Sequence, residues 1–254
     1  MRPASLVTGA RRGIGRATCA ALAARGFDVV GADLEAEGAA ETEAAVTAAG
    51  GSFRFLVADI AATAAHAALV EAAWSSFGGL ECLVNNAGVG AMARGDLLDV
   101  TEASFDRCLG VNARGVFFLA QAVARRMLAA DAPARGPRSL LFVSSANVFM
   151  PAVERGEYCV SKAAASMIAK LFAVRLADAG IAVHEIRPGV IRTDMTAAVA
   201  GRYTARIEAG LSPIRRWGEA EDVGRAIAAL AAGDIPFTTG DAFHIDGGLH
   251  LHRL

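Results

Sequence analysis

Lysine is almost missing from this 254-residue chain: of its 25 basic residues only Lys162 and Lys170 are lysines, and tyrosine is as scarce, with Tyr158 and Tyr203. Against that background the spacing Tyr158-x-x-x-Lys162 has chance odds of about one or two in a hundred, low enough to read as a motif. Neither sign of charge dominates. With 25 basic against 26 acidic residues and no basic run, a nucleic-acid partner is not expected. No apolar run approaches the ~18 residues of a membrane span, and Met1-Arg2-Pro3-Ala4-Ser5-Leu6-Val7-Thr8 lacks the features of a secretory leader, so a cytoplasmic protein is expected, without a membrane partner. Cysteine is limited to Cys19, Cys82, Cys108 and Cys159, with no C-x-x-C spacing, which argues against a disulfide framework and a zinc site. No metal is expected.

What the chain does have is 54% hydrophobic residues, enough for a large core. Short β-rich runs alternate with longer alanine-rich stretches of helical period. The runs are Ala4 to Thr8, Val29 to Ala32, Phe53 to Ala58, Leu80 to Asn85, Leu140 to Ser144, Ala182 to Ile186 and Ala242 to Ile245. Such alternation predicts βαβ units around a parallel sheet, and the scarcity of polar positions in the runs predicts helices on both of its faces. The stretch from Asp131 to Pro137 reads as a loop between helix and strand.

The first run leads directly into Thr8-Gly9-Ala10-Arg11-Arg12-Gly13-Ile14-Gly15, followed by a helical stretch from Arg16 to Arg25 and a stop at Gly26. Glycines at a strand-to-helix turn let backbone approach a pyrophosphate, and the helix start offers free N–H groups. Asp33, at the end of the second run, stands where a carboxylate accepts hydrogen bonds from the adenosine ribose hydroxyls. Glu35 and Glu37 follow it, so a 2′-phosphate would meet carboxylates, and NAD is preferred over NADP. Arg12 is the contrary signal, able to pair with a 2′-phosphate or to reach solvent or Asp33.

Tyr158 and Lys162 are four apart on a predicted helix running to about Gly180, so they share a face. A phenol of pKa ~10 needs about 4 kcal/mol to work near neutrality, and one ammonium about 5 Å away supplies about 3.3 kcal/mol at an effective dielectric of ~20. The spacing therefore predicts an acid–base tyrosine activated by its lysine. Ser144 and Ser145 end the fifth run, at the sheet edge where ligands bind, and either hydroxyl can hold a substrate oxygen.

Taken together these residues resemble the short-chain dehydrogenase/reductase family over essentially the whole chain. Thr8-Gly9-x-x-x-Gly13-Ile14-Gly15 is similar to its nucleotide turn, Asn85-Asn86-Ala87-Gly88 to its motif after the fourth strand, and Tyr158-x-x-x-Lys162 to its catalytic pair. Asp246-Gly247-Gly248 is similar to its closing motif. The resemblance selects Ser145, thirteen residues before Tyr158, over Ser144. It also implies that Asn112, in Val111-Asn112-Ala113, completes a catalytic tetrad with Ser145, Tyr158 and Lys162 through a water-linked proton path. It implies an adenine contact at Asp59, a cofactor contact at Ile60, and nicotinamide contacts along Pro188-Gly189-Val190-Ile191-x-Thr193. The implied cofactor-binding set is Gly9, Arg11, Arg12, Gly13, Ile14, Gly15, Asp33, Asp59, Ile60, Asn86, Ala87, Gly88, Tyr158, Lys162, Pro188, Gly189, Ile191 and Thr193. The implied fold is one Rossmann-like, doubly wound α/β domain over residues 1–254, with a seven-stranded parallel sheet, in a homotetramer. Residues 194–213 would form a mobile lid carrying Met195, Tyr203 and Arg206.

The expected function is hydride transfer between a secondary alcohol or ketone and NAD, with NADP possible. Asn147, Glu154 and Arg155 suit a polar pocket, and a small polar alcohol or sugar derivative is favoured over an acyl thioester. The alternatives are an NADPH-dependent 3-oxoacyl-[acyl-carrier-protein] reductase and, in another class, a dinucleotide-sensing or scaffold protein without turnover. His250 and His252 are expected to belong to a frayed tail.

Overall fold

Apolar runs buried on both sides dictate the architecture. The structure, a computed structural model, describes residues 1–130, 133–197 and 199–251. Seven strands, β1 (Ala4–Thr8), β2 (Asp28–Asp33), β3 (Phe53–Val57), β4 (Cys82–Asn85), β5 (Arg138–Val143), β6 (Ile181–Pro188) and β7 (Ala242–Ile245), form one parallel sheet in the order β3-β2-β1-β4-β5-β6-β7. The longer helices are α1 (Gly13–Ala24), α2 (Ala39–Ala48), α3 (His66–Phe77), α4 (Glu102–Leu109), α5 (Val116–Leu128) and α6 (Gly156–Leu176). They are followed by α7 (Asp194–Ala197), α8 (Ala200–Glu208) and α9 (Ala220–Ala231). This is the Rossmann-like, doubly wound fold expected from the sequence.

Adjacent strand residues serve opposite faces. Leu6, Leu83, Leu140 and Phe142 pack against Leu69, Leu119 and Ile168 of α3, α5 and α6. Their neighbours Val7, Val84 and Leu141 pack against Leu22 of α1, Val46 of α2 and Ile227 of α9. The period of two along a strand sends alternate side chains to alternate layers, so a strand covered on both faces reads as an unbroken apolar run. Removing a fully buried ring such as Phe142 costs about 3–5 kcal/mol. Gly224 of α9 sets the approach to α1: a Cβ there would lie 2.8 Å from Ala17 backbone, so any side chain would force the two helices apart.

Boundaries differ from the sequence expectation where pairing, rather than local pattern, decides them. β5 begins at Arg138 instead of Leu140 because Arg138 and Ser139 ladder onto Ile181 and Ala182 of β6. The first helix begins at Gly13 rather than Arg16, taking in the last two glycines of the turn. The long helix ends at Leu176, a short 3₁₀ turn (Ala177–Ala179) carrying the chain to Gly180 at φ +67°. The expected lid holds α7 and α8, while Asp131 in the expected loop and His252 in the tail lie outside the described residues. No helix among the described residues is long and apolar enough to cross a membrane, and the four cysteines are free.

The strand order reverses between β1 and β4. In open α/β sheets that switch point leaves a crevice at the carboxyl ends of the strands, where the connecting loops diverge.

Candidate active site

The crevice is a cleft of about 990 Å³ above the carboxyl edge of the sheet. All eighteen expected cofactor residues line it, from Gly9 and Asp33 at one end to Tyr158, Lys162 and Thr193 at the other.

The turn between β1 and α1 is shaped by close approach. A Cβ on Gly15 would lie 1.9 Å from the Gly9 carbonyl oxygen, and one on Gly9 would lie 2.9 Å from Ala87 Cα and Asn86 Nδ2. Asn86 braces this turn: its Nδ2 donates to the Thr8 and Gly9 carbonyls at 2.8 and 3.2 Å. Thr8 Oγ1 accepts from the backbone N–H groups of Asn86 and Ala87 at 3.1 and 3.0 Å. Arg12 stands at the N-cap of α1 but makes no side-chain cap, so the first-turn N–H groups face the cleft without a side-chain acceptor. A bare helix start beneath a glycine-lined turn fits a dinucleotide pyrophosphate. Asp33 and Asp59 line the same end, as the adenosine half requires.

The arginine that meets Asp33 is Arg11, not Arg12. Arg11 lies along Asp33 and pairs with Glu35, whereas Arg12 reaches across the cleft to Asp194 of α7 at 3.0 Å. Side chains of successive residues in an extended turn leave in opposite directions, which a linear reading of two adjacent arginines does not resolve.

At the other end, α6 carries Tyr158 and Lys162 on its buried face. Lys162 Nζ donates to the Val143 carbonyl at the end of β5 at 2.9 Å and lies 5.8 Å from the Tyr158 ring centre. Ser144 and Ser145, adjacent in sequence, have opposite fates. Ser144 Oγ turns inward to Glu185 and Ile186, while Ser145 Oγ is near enough to Tyr158 to lower its phenol and accepts from the Asn147 N–H at 3.1 Å. The structure therefore places Ser145, Tyr158 and Lys162 together.

Asn112 does not line the cleft. It sits in a π-helical turn (Gly110–Gly115) between α4 and α5, only 1% exposed, with its amide bracketing the Val89 backbone at 2.8 and 2.9 Å. Its Nδ2 also donates to Ser161 Oγ at 2.9 Å, and Ser161 donates to the Tyr158 carbonyl at 2.8 Å. The wide π turn, common at functional sites, is what lets Asn112 reach both partners. Asn112 Oδ1 and Lys162 Nζ meet over Gly88, where a Cβ would lie 3.2 and 3.3 Å from them.

The electrostatics correct the simple lysine argument. Burial pushes the Tyr158 phenol above its ordinary value, and the Ser145 hydroxyl and the Arg155 charge oppose that rise. Arg155 Cζ lies 5.5 Å from the ring centre, as close as the lysine. Burial also lowers Lys162, from 10.5 to about 8. With a pKa of about 8 and no carboxylate in contact among the described residues, the lysine is still mostly an ammonium at neutral pH but is held less firmly than a free one, so its pull on the phenol is weaker than the bare charge argument gives.

Sequence reading missed Glu185 and Arg187. Glu185 on β6 accepts from Ser144, from Ser166 at 2.8 Å, and from both Nε and a terminal nitrogen of Arg187 at 2.9 Å. Burial works to raise its pKa, but the hydrogen bonds from Arg187, Ser144 and Ser166 outweigh it and hold the carboxyl below the usual range. Two opposite charges two residues apart in a mostly apolar strand were the available signal, since i and i+2 share a face.

A dinucleotide cleft on a doubly wound sheet, with a tyrosine, a lysine and a serine at its far end, defines an oxidoreductase acting on alcohol or keto groups with NAD(P). Comparison with known proteins agrees: a family model described as enoyl-(acyl carrier protein) reductase matches residues 9–250. The chain is 50% identical to a solved 3-oxoacyl-[acyl-carrier protein] reductase from Brucella melitensis in complex with NAD, with a TM-score of 0.97, covering 100% of this chain and 99% of that one. It is 34% identical to 3beta-hydroxysteroid dehydrogenase 1 of Eggerthella lenta, over 97% of this chain and 93% of that protein. It is 31% identical to 2-dehydro-3-deoxy-D-gluconate 5-dehydrogenase of Dickeya dadantii, over 96% of this chain and 94% of that protein. The chain belongs to the short-chain dehydrogenase/reductase family.

Proposed function

We propose that the protein is an NAD-preferring dehydrogenase that interconverts a small polar secondary alcohol and its ketone. The observation that carries this reading is the placement of Tyr158, Ser145 and Lys162 at one end of a cleft whose other end is guarded by Asp33 and Glu35. Bound dinucleotide supplies hydride in the reducing direction and accepts it in the oxidising direction. The chain's own residues handle the rest. Ser145 Oγ holds the substrate oxygen, and Tyr158 gives it a proton during reduction or removes one during oxidation. Lys162 orients the ribose next to the phenol, and Asn112 keeps the relay behind it in register by holding both the Val89 backbone and Ser161 Oγ of α6.

The preference for NAD rests on charge. Arg11 is already neutralised by Asp33 and Glu35, so a 2′-phosphate would have to displace two carboxylates to reach it. Reduction of a 3-oxoacyl thioester with NADPH is the second reading, favoured by the likeness to the Brucella reductase; the related sugar-acid and steroid enzymes show that this scaffold serves several alcohols. Assembly as a homotetramer in the cytoplasm accompanies the proposal.

The test is absorbance at the reduced-cofactor band with NAD and NADP against alcohols, sugar derivatives and 3-oxoacyl thioesters, for the wild type and Tyr158→Phe. Turnover with NAD that falls about a thousandfold in the variant, with dinucleotide binding retained, is expected. Unchanged turnover in Tyr158→Phe overturns the mechanism, and binding without turnover on any substrate favours a sensor.

A further inference from the structure

A side chamber of about 520 Å³ opens off the substrate end of the cleft. Three of the residues that line it are arginines, Arg94, Arg107 and Arg155, beside Tyr158, and none of its lining residues among those described is acidic. Two of the three, Arg107 and Arg155, have no acidic partner among the described residues, and such cations beside a reacting hydroxyl form an unbalanced field that a neutral substrate leaves unanswered.

The arginines differ in what already occupies them. Arg94 is paired with Glu154 at 2.9 Å, and Arg202 of α8 pairs with the other oxygen of the same carboxylate at 2.8 Å. That bridge ties α8 to the loop before α6 and gives both arginines a structural purpose. Arg155 has no such anchor. Among the described residues no carboxylate lies within ion-pair distance of it; its one side-chain hydrogen bond, to Tyr203 Oη, is long at 3.3 Å, and its Nε is buried with no partner. Arg107 donates only to the Gly90 carbonyl, at 3.2 Å, and has no acidic partner among the described residues either. The terminal nitrogens of Arg155, held only by that long bond, are what a ligand anion would meet, and a charge-assisted pair there is stronger than the bond it replaces; Arg107 is exposed and meets solvent until an anion displaces it. The dinucleotide does not answer this charge: its phosphates belong to the turn at Gly9–Gly15, and Arg11 guards the ribose end.

We infer that the chamber is an anion subsite, in which Arg155, assisted by Arg107, receives a carboxylate or phosphate carried by the substrate within a few bonds of the reacting carbon. The short tether follows from Arg155 Cζ lying 5.5 Å from the Tyr158 ring centre. This rests on the dehydrogenase reading above and narrows its polar alcohol to a hydroxy or oxo acid anion, or a phosphate ester. The same guanidinium lowers the Tyr158 phenol, so substrate binding and proton transfer share one residue.

Binding of small probes to the NADH complex tests the inference without knowledge of the substrate. Malonate, its neutral isostere malonamide, and inorganic phosphate are titrated into wild-type protein saturated with NADH, following the fluorescence of the bound cofactor. Arg155→Gln, Arg107→Gln and the charge-preserving Arg155→Lys are measured alongside. The expected result is saturable binding of malonate or phosphate, no binding of malonamide, weakening by about tenfold or more in Arg155→Gln, a smaller loss in Arg107→Gln, and partial recovery in Arg155→Lys. The tighter of the two anions identifies the group. Equal affinity in wild type and Arg155→Gln, or NADH binding with no anion binding, overturns the subsite and leaves the dehydrogenase reading standing. Failure to bind NADH overturns that reading, and the subsite falls with it.

Discussion

Arg11 lies along Asp33. Its Nε is 3.5 Å from one carboxylate oxygen, its own backbone N–H donates to the other at 3.3 Å, and its guanidinium reaches Glu35 at 2.9 Å. A cation is thus present at the ribose end of the cleft but already satisfied. Replacing both acids, as Asp33→Asn with Glu35→Gln, frees it. The ratio of kcat/KM for NADP to that for NAD should rise by about tenfold or more, most of it in KM for NADP. Steady-state kinetics with both cofactors decide this; an unchanged ratio would mean that Arg11 cannot reach a 2′-phosphate.

Lys162 makes the protein less stable than it could be. Its pKa falls from 10.5 in the unfolded chain to about 8 in the fold, because burial disfavours the ammonium, a cost of about 3 kcal/mol at neutral pH. Between about pH 8 and 10.5 the unfolded chain binds the extra proton, so stability from this group rises with pH through that window. Lys162→Met should therefore be more stable than wild type at pH 7, by about 1–3 kcal/mol, with turnover abolished and the advantage vanishing above about pH 10.5. Urea unfolding of the dinucleotide-free protein at the two pH values checks the sign.

Glu185 has the opposite linkage. Its lowered carboxyl contributes stability above the ordinary carboxylate pKa and loses it as pH falls through the folded value. Glu185→Ala leaves the largely buried Arg187 unpaired and should cost about 3–5 kcal/mol, and the isosteric Glu185→Gln less. Because Ser144 loses its partner in Glu185→Ala, Ser145 beside it is less well held, so kcat should fall more than KM rises in that variant. Melting curves from pH 3 to pH 7 should show a shallower acid limb for Glu185→Gln; superimposable limbs would mean that Glu185 does not govern acid lability.

Gly15→Ala tests the phosphate turn against a control of the same chemistry. Its methyl would sit 1.9 Å from the Gly9 carbonyl oxygen, so the turn must open, whereas Gly201 on α8 has nothing within 4 Å of a built Cβ. Gly15→Ala should weaken dinucleotide binding by about a hundredfold, and Gly201→Ala should leave binding unchanged while adding about 0.5–1 kcal/mol of stability. Calorimetric titration with NAD separates the two. Equal affinities would show that the turn does not carry the pyrophosphate.

The local chemistry of this protein was written in short stretches of chain. The apolar runs, the glycine turn and the Tyr158–Lys162 spacing need only neighbours a few residues apart, and those interactions are set by backbone geometry common to all proteins. Ordering the strands, and with it the crevice between β1 and β4, depended on which runs pair across tens of residues. Tertiary structure alone decided which of two adjacent serines faces the cleft, which of two adjacent arginines meets Asp33, and that Asn112 works from behind the wall. Adjacent side chains leave the backbone in divergent directions, and only the packing of distant elements determines what each one meets. Burial is likewise a property of the whole fold. It raises the Tyr158 phenol and lowers Lys162, weakening an argument that the four-residue spacing had made sound on charge alone.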